Sequence, residues 1–145
     1  MKNLFIVLLS SLIISCSYHS PIYWGWGEWC GAEIAGVESN SLASVDWSTL
    51  PGVITSIDGN KLGSGYKKAK LLPGKHLIEY AYYPAGFGAH PKGIIELDLK
   101  SGHLYQFEIK LCYWCMPRKF TEWVDDKTIG EVVWGKRPDW PPWWL

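Results

Sequence analysis

The sequence predicts an all-β fold, a small antiparallel β-sandwich, and three observations carry that expectation. Helical periodicity is nearly absent. Apolar and polar residues alternate in short runs, the period-two pattern of a half-buried strand. Turn pairs such as Asp58-Gly59, Pro73-Gly74 and Ser101-Gly102 separate those runs at spacings of roughly ten residues, as a sandwich or small barrel requires.

Taken in order, Val53-Ile54-Thr55-Ser56-Ile57 is the first clear strand, ended by Asp58-Gly59-Asn60, a strong hairpin signal. Tyr66 to Leu72 forms the next and stops at Pro73-Gly74. His76 to Tyr83 follows, and Pro84 to His90-Pro91 is a loop by composition. Ile95, Leu97 and Leu99 alternate with Glu96, Asp98 and Lys100. Tyr105, Phe107, Ile109 and Leu111 alternate with Gln106, Glu108 and Lys110, the clearest strand of all. Phe120 to Val124 and Glu131 to Trp134 flank a turn over Asp125 to Gly130. That makes six or seven strands in residues 49–135, and there are no internal repeats.

The chain begins MKNLFIVLLSSLIISC. One charge, Lys2, precedes an apolar run of 11 residues, Leu4 to Ile14. A bilayer core needs about 20 residues, so the run is too short to span one. Its proportions are those of a secretory signal. Leu12-Ile13-Ile14-Ser15-Cys16 resembles the lipobox of bacterial lipoproteins, with isoleucine at 13 where leucine is commoner. The resemblance implies cleavage after residue 15, a diacylglyceryl thioether on Cys16 and an acylated N-terminus. Several acyl chains, at about 0.8 kcal/mol per buried methylene, make attachment effectively permanent. Ser17, where an aspartate would favour the inner membrane, points to the outer membrane and its periplasmic face. The expected partner is therefore the membrane, through the lipid anchor.

Residues 16–145 are the size of one domain. Removing residues 1–15 removes one charged side chain, Lys2, and leaves 13 Lys and Arg against 14 Asp and Glu. This balance argues against nucleic acid, which demands a basic surface. Residues 16–48 read as a tether with the Trp-rich stretch YWGWGEWCG, passing into a first strand or a covering loop. Residues 136–145 are a Pro/Trp-rich tail, extended and polyproline-like where ordered.

From Val53 to about Leu111, the motifs Ile57-Asp58-Gly59, Leu72-Pro73-Gly74-Lys75-His76 and Gly102-His103-Leu104-Tyr105 resemble the PEGA-type β-sandwich of bacterial envelope proteins. The Pro-Glu-Gly-Ala signature itself is missing. The resemblance implies an immunoglobulin-like or prealbumin-like domain with a binding or spacer role, and it brings no catalytic residues.

Cys30, Cys112 and Cys115 remain once Cys16 is lipidated. An oxidising compartment makes a disulfide the default. Cys112 and Cys115 pair only if the strand ends and residues 113–114 turn; in an extended strand they would lie about 10 Å apart, beyond disulfide reach. Otherwise Cys30 is the better partner, closing a loop of about 80 residues worth roughly 4.5 kcal/mol in the chain-entropy model. A redox centre needs a helix N-terminus to lower the first thiol's pKa. A zinc site needs a fourth ligand from His19, His76, His90 or His103. No metal or other cofactor is expected.

Ten tryptophans demand an account. Trp24, Trp26 and Trp29 follow Cys16 by 8 to 13 residues. Eight extended residues reach about 26 Å, so these rings can sit at headgroup depth. Trp140, Trp143 and Trp144 suit stacking on a sugar face. Packing on the sandwich is the plainer use of all of them. Lys61, Lys67, Lys68, Lys70 and Lys75 read as protection of a sheet edge, with anionic headgroups as the alternative. The acidic group Glu122, Asp125 and Asp126 reads as solvated turn chemistry, and His76 and His103 as solvent-facing. No nucleophile elbow, zinc-protease motif or phosphate loop is present.

The expectation is a non-enzymatic, lipid-anchored envelope lipoprotein that binds an envelope protein or a glycan. Its alternatives are a structural accessory subunit of an envelope assembly and a thiol-redox lipoprotein using Cys112 and Cys115.

Overall fold

The computed structural model describes residues 27–31, 34, 36–48, 52–63, 66–82, 92–112, 115 and 119–139. They form ten strands, with a 3-10 turn over Ser39–Ser41. The strands are β1 (Gly27–Cys30), β2 (Ala43–Asp46), β3 (Gly52–Ile57), β4 (Asn60–Lys61), β5 (Tyr66–Leu71), β6 (Gly74–Tyr82), β7 (Lys92–Leu99), β8 (Leu104–Cys112), β9 (Lys119–Asp126) and β10 (Glu131–Gly135). A six-stranded sheet runs β1-β5-β2-β8-β9-β10 and a four-stranded sheet runs β4-β3-β6-β7. The expected all-β sandwich is what forms.

Alternation decides which face each residue takes. In the large sheet Ala43, Val45, Ala69, Leu71, Tyr105, Phe107 and Val124 point inward and are buried. Ile54, Ile57, Ile78, Tyr80, Ile95, Leu97 and Leu99 of the small sheet meet them in one core. Trp47 follows β2 and is fully buried. Its indole Nε1 donates to the Tyr66 carbonyl at 3.1 Å, which meets the polar requirement of a buried ring.

Turn chemistry sets the connections. Asp58 and Gly59 both have positive φ, 50° and 78°, and Ile57 pairs with Asn60 across them. This is the two-residue hairpin that an Asp-Gly pair favours. The Asp58 carboxylate also accepts the Leu77 backbone N–H at 2.8 Å, which ties the hairpin to β6.

Three departures from the sequence reading have clear causes. Gly27–Cys30 and Ala43–Asp46, in the segment read as a tether passing into a first strand or a covering loop, are two strands of the large sheet. Two pairings, β1 with β5 and β2 with β8, are parallel, so the sandwich is not wholly antiparallel. The lysine-rich β5 lies between β1 and β2 and is not an edge. Its lysines have local work instead. Lys68 pairs with Asp46 at 3.3 Å, Lys70 donates to Ser44 Oγ at 2.7 Å, and Lys67 donates to the Gly52 carbonyl at 2.9 Å.

Candidate functional site

Strand register brings the start of β1 and the end of β10 to one end of the sandwich. Gly27 pairs with Tyr66, Asp46 with Lys68 and also with Gln106, Cys112 with Lys119, and Gly135 with Trp123. The starts of β1, β5 and β9 and the ends of β2, β8 and β10 therefore share one end, termed proximal. In the small sheet Gly52 pairs with Tyr82, and Ala81 with Lys92. Leu72-Pro73 joins β5 to β6 at the opposite, distal end, so Tyr82 and Lys92 also lie proximally. Residues 1–26 and 136–145 thus attach at the same end, on opposite edges of the large sheet.

Of the residues singled out from sequence, Cys16, Trp24, Trp26, Trp140, Trp143 and Trp144 lie outside the described residues. What the fold supplies is their points of attachment, Gly27 and Gly135, on one end of one sheet. Trp29 is described: it is half-buried and packs on the core from β1, the plainer of its two expected uses. The loop expected over Pro84 to Pro91 also lies outside the described residues.

The proximal end has a firm aromatic floor. Tyr80 of β6 is 6% exposed and meets Phe107 and Trp134 edge-on, at 6.3 Å and 6.5 Å between centroids. Burial, and then the Glu122 carboxylate beside it, hold the Tyr80 phenol far above its ordinary range. Gly93 lies directly across from Tyr80 and is the only residue type that leaves room for the ring. Trp134 closes the group from β10.

Cys112 and Cys115 form a disulfide, with Cα atoms 5.4 Å apart. The condition set by sequence is met because β8 ends at Cys112. The bond closes the base of the β8–β9 connection at the proximal end. Cys30 is disulfide-bonded too, and its partner lies outside the described residues. Neither Cys112 nor Cys115 meets Cys30, so the long staple between them and the N-terminal segment does not form.

The acidic turn residues are not solvated, contrary to expectation. Asp125 is 3% exposed and Asp126 is 1% exposed. Asp125 lies on the outer face of the large sheet and accepts from Lys127 at 2.9 Å and from Arg137 Nη2 at 2.8 Å. Burial pushes the Asp125 carboxyl up, but hydrogen bonds from Lys127 and Arg137 outweigh it and leave the pKa below its ordinary value. Arg137 thereby pins the root of the tail to β9. Asp126 accepts the Thr128 N–H at 3.0 Å and faces His103 Nδ1 at 2.6 Å. His76 stands between Asp58 and the Leu72 carbonyl, at 2.6 Å and 2.7 Å. Both histidines are distal turn clamps, not solvent-facing groups. The missed signal was a charged partner elsewhere in the chain, which a single strand pattern does not carry.

Among the described residues no group of three His, Cys, Asp or Glu side chains is placed to hold a metal ion. No helix among them is long and apolar enough to cross a membrane. No family model matches the chain, and neither a characterised protein nor a solved structure matches it.

Proposed function

We propose that this protein is a lipid-anchored lipoprotein of the bacterial envelope with a non-catalytic binding or structural role. The observation that carries the reading is the lipobox-like Leu12-Ile13-Ile14-Ser15-Cys16 leading into a sandwich. The common attachment of residues 1–26 and 136–145 at the proximal end supports it. An anchor at Cys16 holds that end toward the membrane. Trp24 and Trp26 then lie within reach of the headgroups, and the tail tryptophans lie near the same surface, where they contact lipid, a glycan or an envelope protein. Loops at one end of a rigid sandwich are where such folds place recognition.

The redox alternative is weaker on physical grounds. Cys112 ends a strand and another begins at Lys119, and among the described residues no helix N-terminus stands by to stabilise a thiolate. The bond reads as a staple.

Intact mass of membrane-extracted protein, alkylated without reduction, tests the anchor. Cys112 and Cys115 hold each other, which leaves Cys16 as the one further cysteine besides Cys30. A sulfur in a diacylglyceryl thioether cannot also form a disulfide. Lipidation of Cys16 and a bond from Cys16 to Cys30 therefore exclude one another. Lipid on Cys16 supports the proposal, and a Cys16–Cys30 bond in its place counts against it. An unlipidated chain overturns it. Independently, Cys16→Ala releases a lipoprotein from membranes; a variant that stays bound contradicts the anchor.

A further inference from the structure

We infer that β7 is an interface through which two copies of this chain pair edge to edge. Sheet edges carry unpaired N–H and C=O groups, and folds that remain monomeric blunt them. Among the described strands, three of the four edges are blunted. β4 has two residues, β1 has four with a register shift after Gly27, and β10 is broken by a bulge between Val132 and Trp134. β7 differs. It pairs with β6 in unbroken register over eight residues, Lys92 to Leu99, and no described strand lies on its other side. It contains no proline.

The side chains along that edge match a second copy. Lys92, Ile94, Glu96 and Asp98 are all exposed on the outer face, and Ile94 is 63% exposed. Residues opposite one another in antiparallel strands share a face, so only registers that pair like-facing positions are open. A two-fold axis at Ile95 sets Lys92 against Asp98 of the second copy twice over, and Ile94 against Glu96. Moving the axis to Glu96 sets that carboxylate against itself and loses both attractive pairs. The Ile95 register also brings the two Ile94 side chains together diagonally. It extends the apolar pair Leu77 and Ile94 across the axis, and Leu77 is itself 45% exposed. Lys75 stays on Glu96 at 2.9 Å within its own copy. The pairing fuses two four-stranded sheets into one.

The axis turns one copy end over end. A strand of eight residues spans about 26 Å. The eleven residues from Cys16 to Gly27 extend to about 36 Å. A fully extended tether therefore lets the turned copy's anchor reach the same membrane although its proximal end faces away, and headgroup contact at that end falls to the other copy.

Zero-length carbodiimide coupling of the full chain in detergent, followed by peptide mass analysis, tests the inference. Within one chain, Lys92 and Asp98 are six residues apart on a strand, about 20 Å, too far for an amide to form. A Lys92–Asp98 peptide therefore reports two copies. The expected result is that peptide in a species of twice the chain mass, lost in Lys92→Arg only if guanidinium fails to couple, as it does. Lys92→Asp weakens dimerisation about tenfold by turning both pairs repulsive, and adding Asp98→Lys restores it. A monomer by sedimentation with no such peptide, or Lys92 coupled to a different protein, overturns the inference. So does failure of the double reversal to rescue a variant whose circular dichroism is native.

Discussion

Replacing Gly93 by alanine tests the aromatic floor of the proximal end. A Cβ on Gly93 would overlap the Tyr80 hydroxyl and Cζ and lie 2.6 Å from Cε1. The ring has nowhere to retreat, because Phe107 and Trp134 meet it edge-on from the opposite sheet. Overpacking of this kind costs about 1–3 kcal/mol. Displacing the ring gives up edge contacts worth about 0.5–1.5 kcal/mol each. Alanine returns about 0.4–1 kcal/mol by restricting the unfolded chain. The net expectation is a loss of about 2–3 kcal/mol, or about 8–12 °C in Tm for a domain of this size. Thermal unfolding followed by far-ultraviolet circular dichroism and by tryptophan emission measures it, since Trp134 reports the cluster directly. Placing Gly93→Ala on a Tyr80→Leu background removes the overlapping atoms, so the two changes together destabilise by less than their sum. A Gly93→Ala protein within about 0.5 kcal/mol of the parent refutes the packing argument.

Two further outcomes follow from the charged face and the staple. Asp125→Asn lowers stability at neutral pH by about 1–2 kcal/mol, below the range for a fully buried pair because Lys127 and Arg137 regain water. Since the folded pKa of Asp125 is depressed, its contribution is complete above about pH 4 and fades as pH falls through the folded value. Urea midpoints of parent and variant should therefore converge in acid, and an unchanged gap at pH 2 contradicts the assignment. Replacing Cys112 and Cys115 together by serine removes a closure with a sequence separation of 3, worth about 2 kcal/mol in the chain-entropy model. Equal urea midpoints with and without reductant show that the bond staples nothing.

How far the sequence discloses this fold depends on whether the deciding contacts are local. β7 and β8 are legible because Ile95, Leu97 and Leu99, and then Tyr105 and Phe107, alternate with charged residues and are buried in that order. The Asp58-Gly59 turn is legible because its backbone needs that pair. β1 and β2 are not. β2 is Ala-Ser-Val-Asp, whose inward residues are small, and its strand character comes from β5 and β8 on either side. No periodicity announces a parallel partner some sixty residues away. β5 misleads for a related reason: its lysines look like an edge until Asp46 and Ser44 arrive beside them. Asp125 and Asp126 mislead in the same way, because Arg137, Lys127 and His103 complete them from other elements. The candidate end was hidden for a topological reason. That Gly27 and Gly135 point to the same end of the large sheet, from its two opposite edges, follows from strand order and register, which no single stretch encodes.

The tryptophans divide along this line, and the division can be measured. Among the described rings, Trp47 is fully buried, Trp29 and Trp134 pack on the core, and Trp123 is half-buried on the outer face. Those positions are occupied by packing, so among the tryptophans singled out from sequence ligand contact falls to Trp24, Trp26, Trp140, Trp143 and Trp144. Replacing these five by leucine should abolish any emission shift that vesicles, peptidoglycan or polysaccharide produce in the parent. The strand tryptophans should keep their buried emission, and the thermal transition should move by little, because the core rings are untouched. A shift on glycan but not on lipid assigns the surface to glycan recognition, and the reverse assigns it to the membrane. A shift that survives all five replacements would assign the response to Trp114 or to a ring of the sandwich, and the five would then lose their claim as the contact surface.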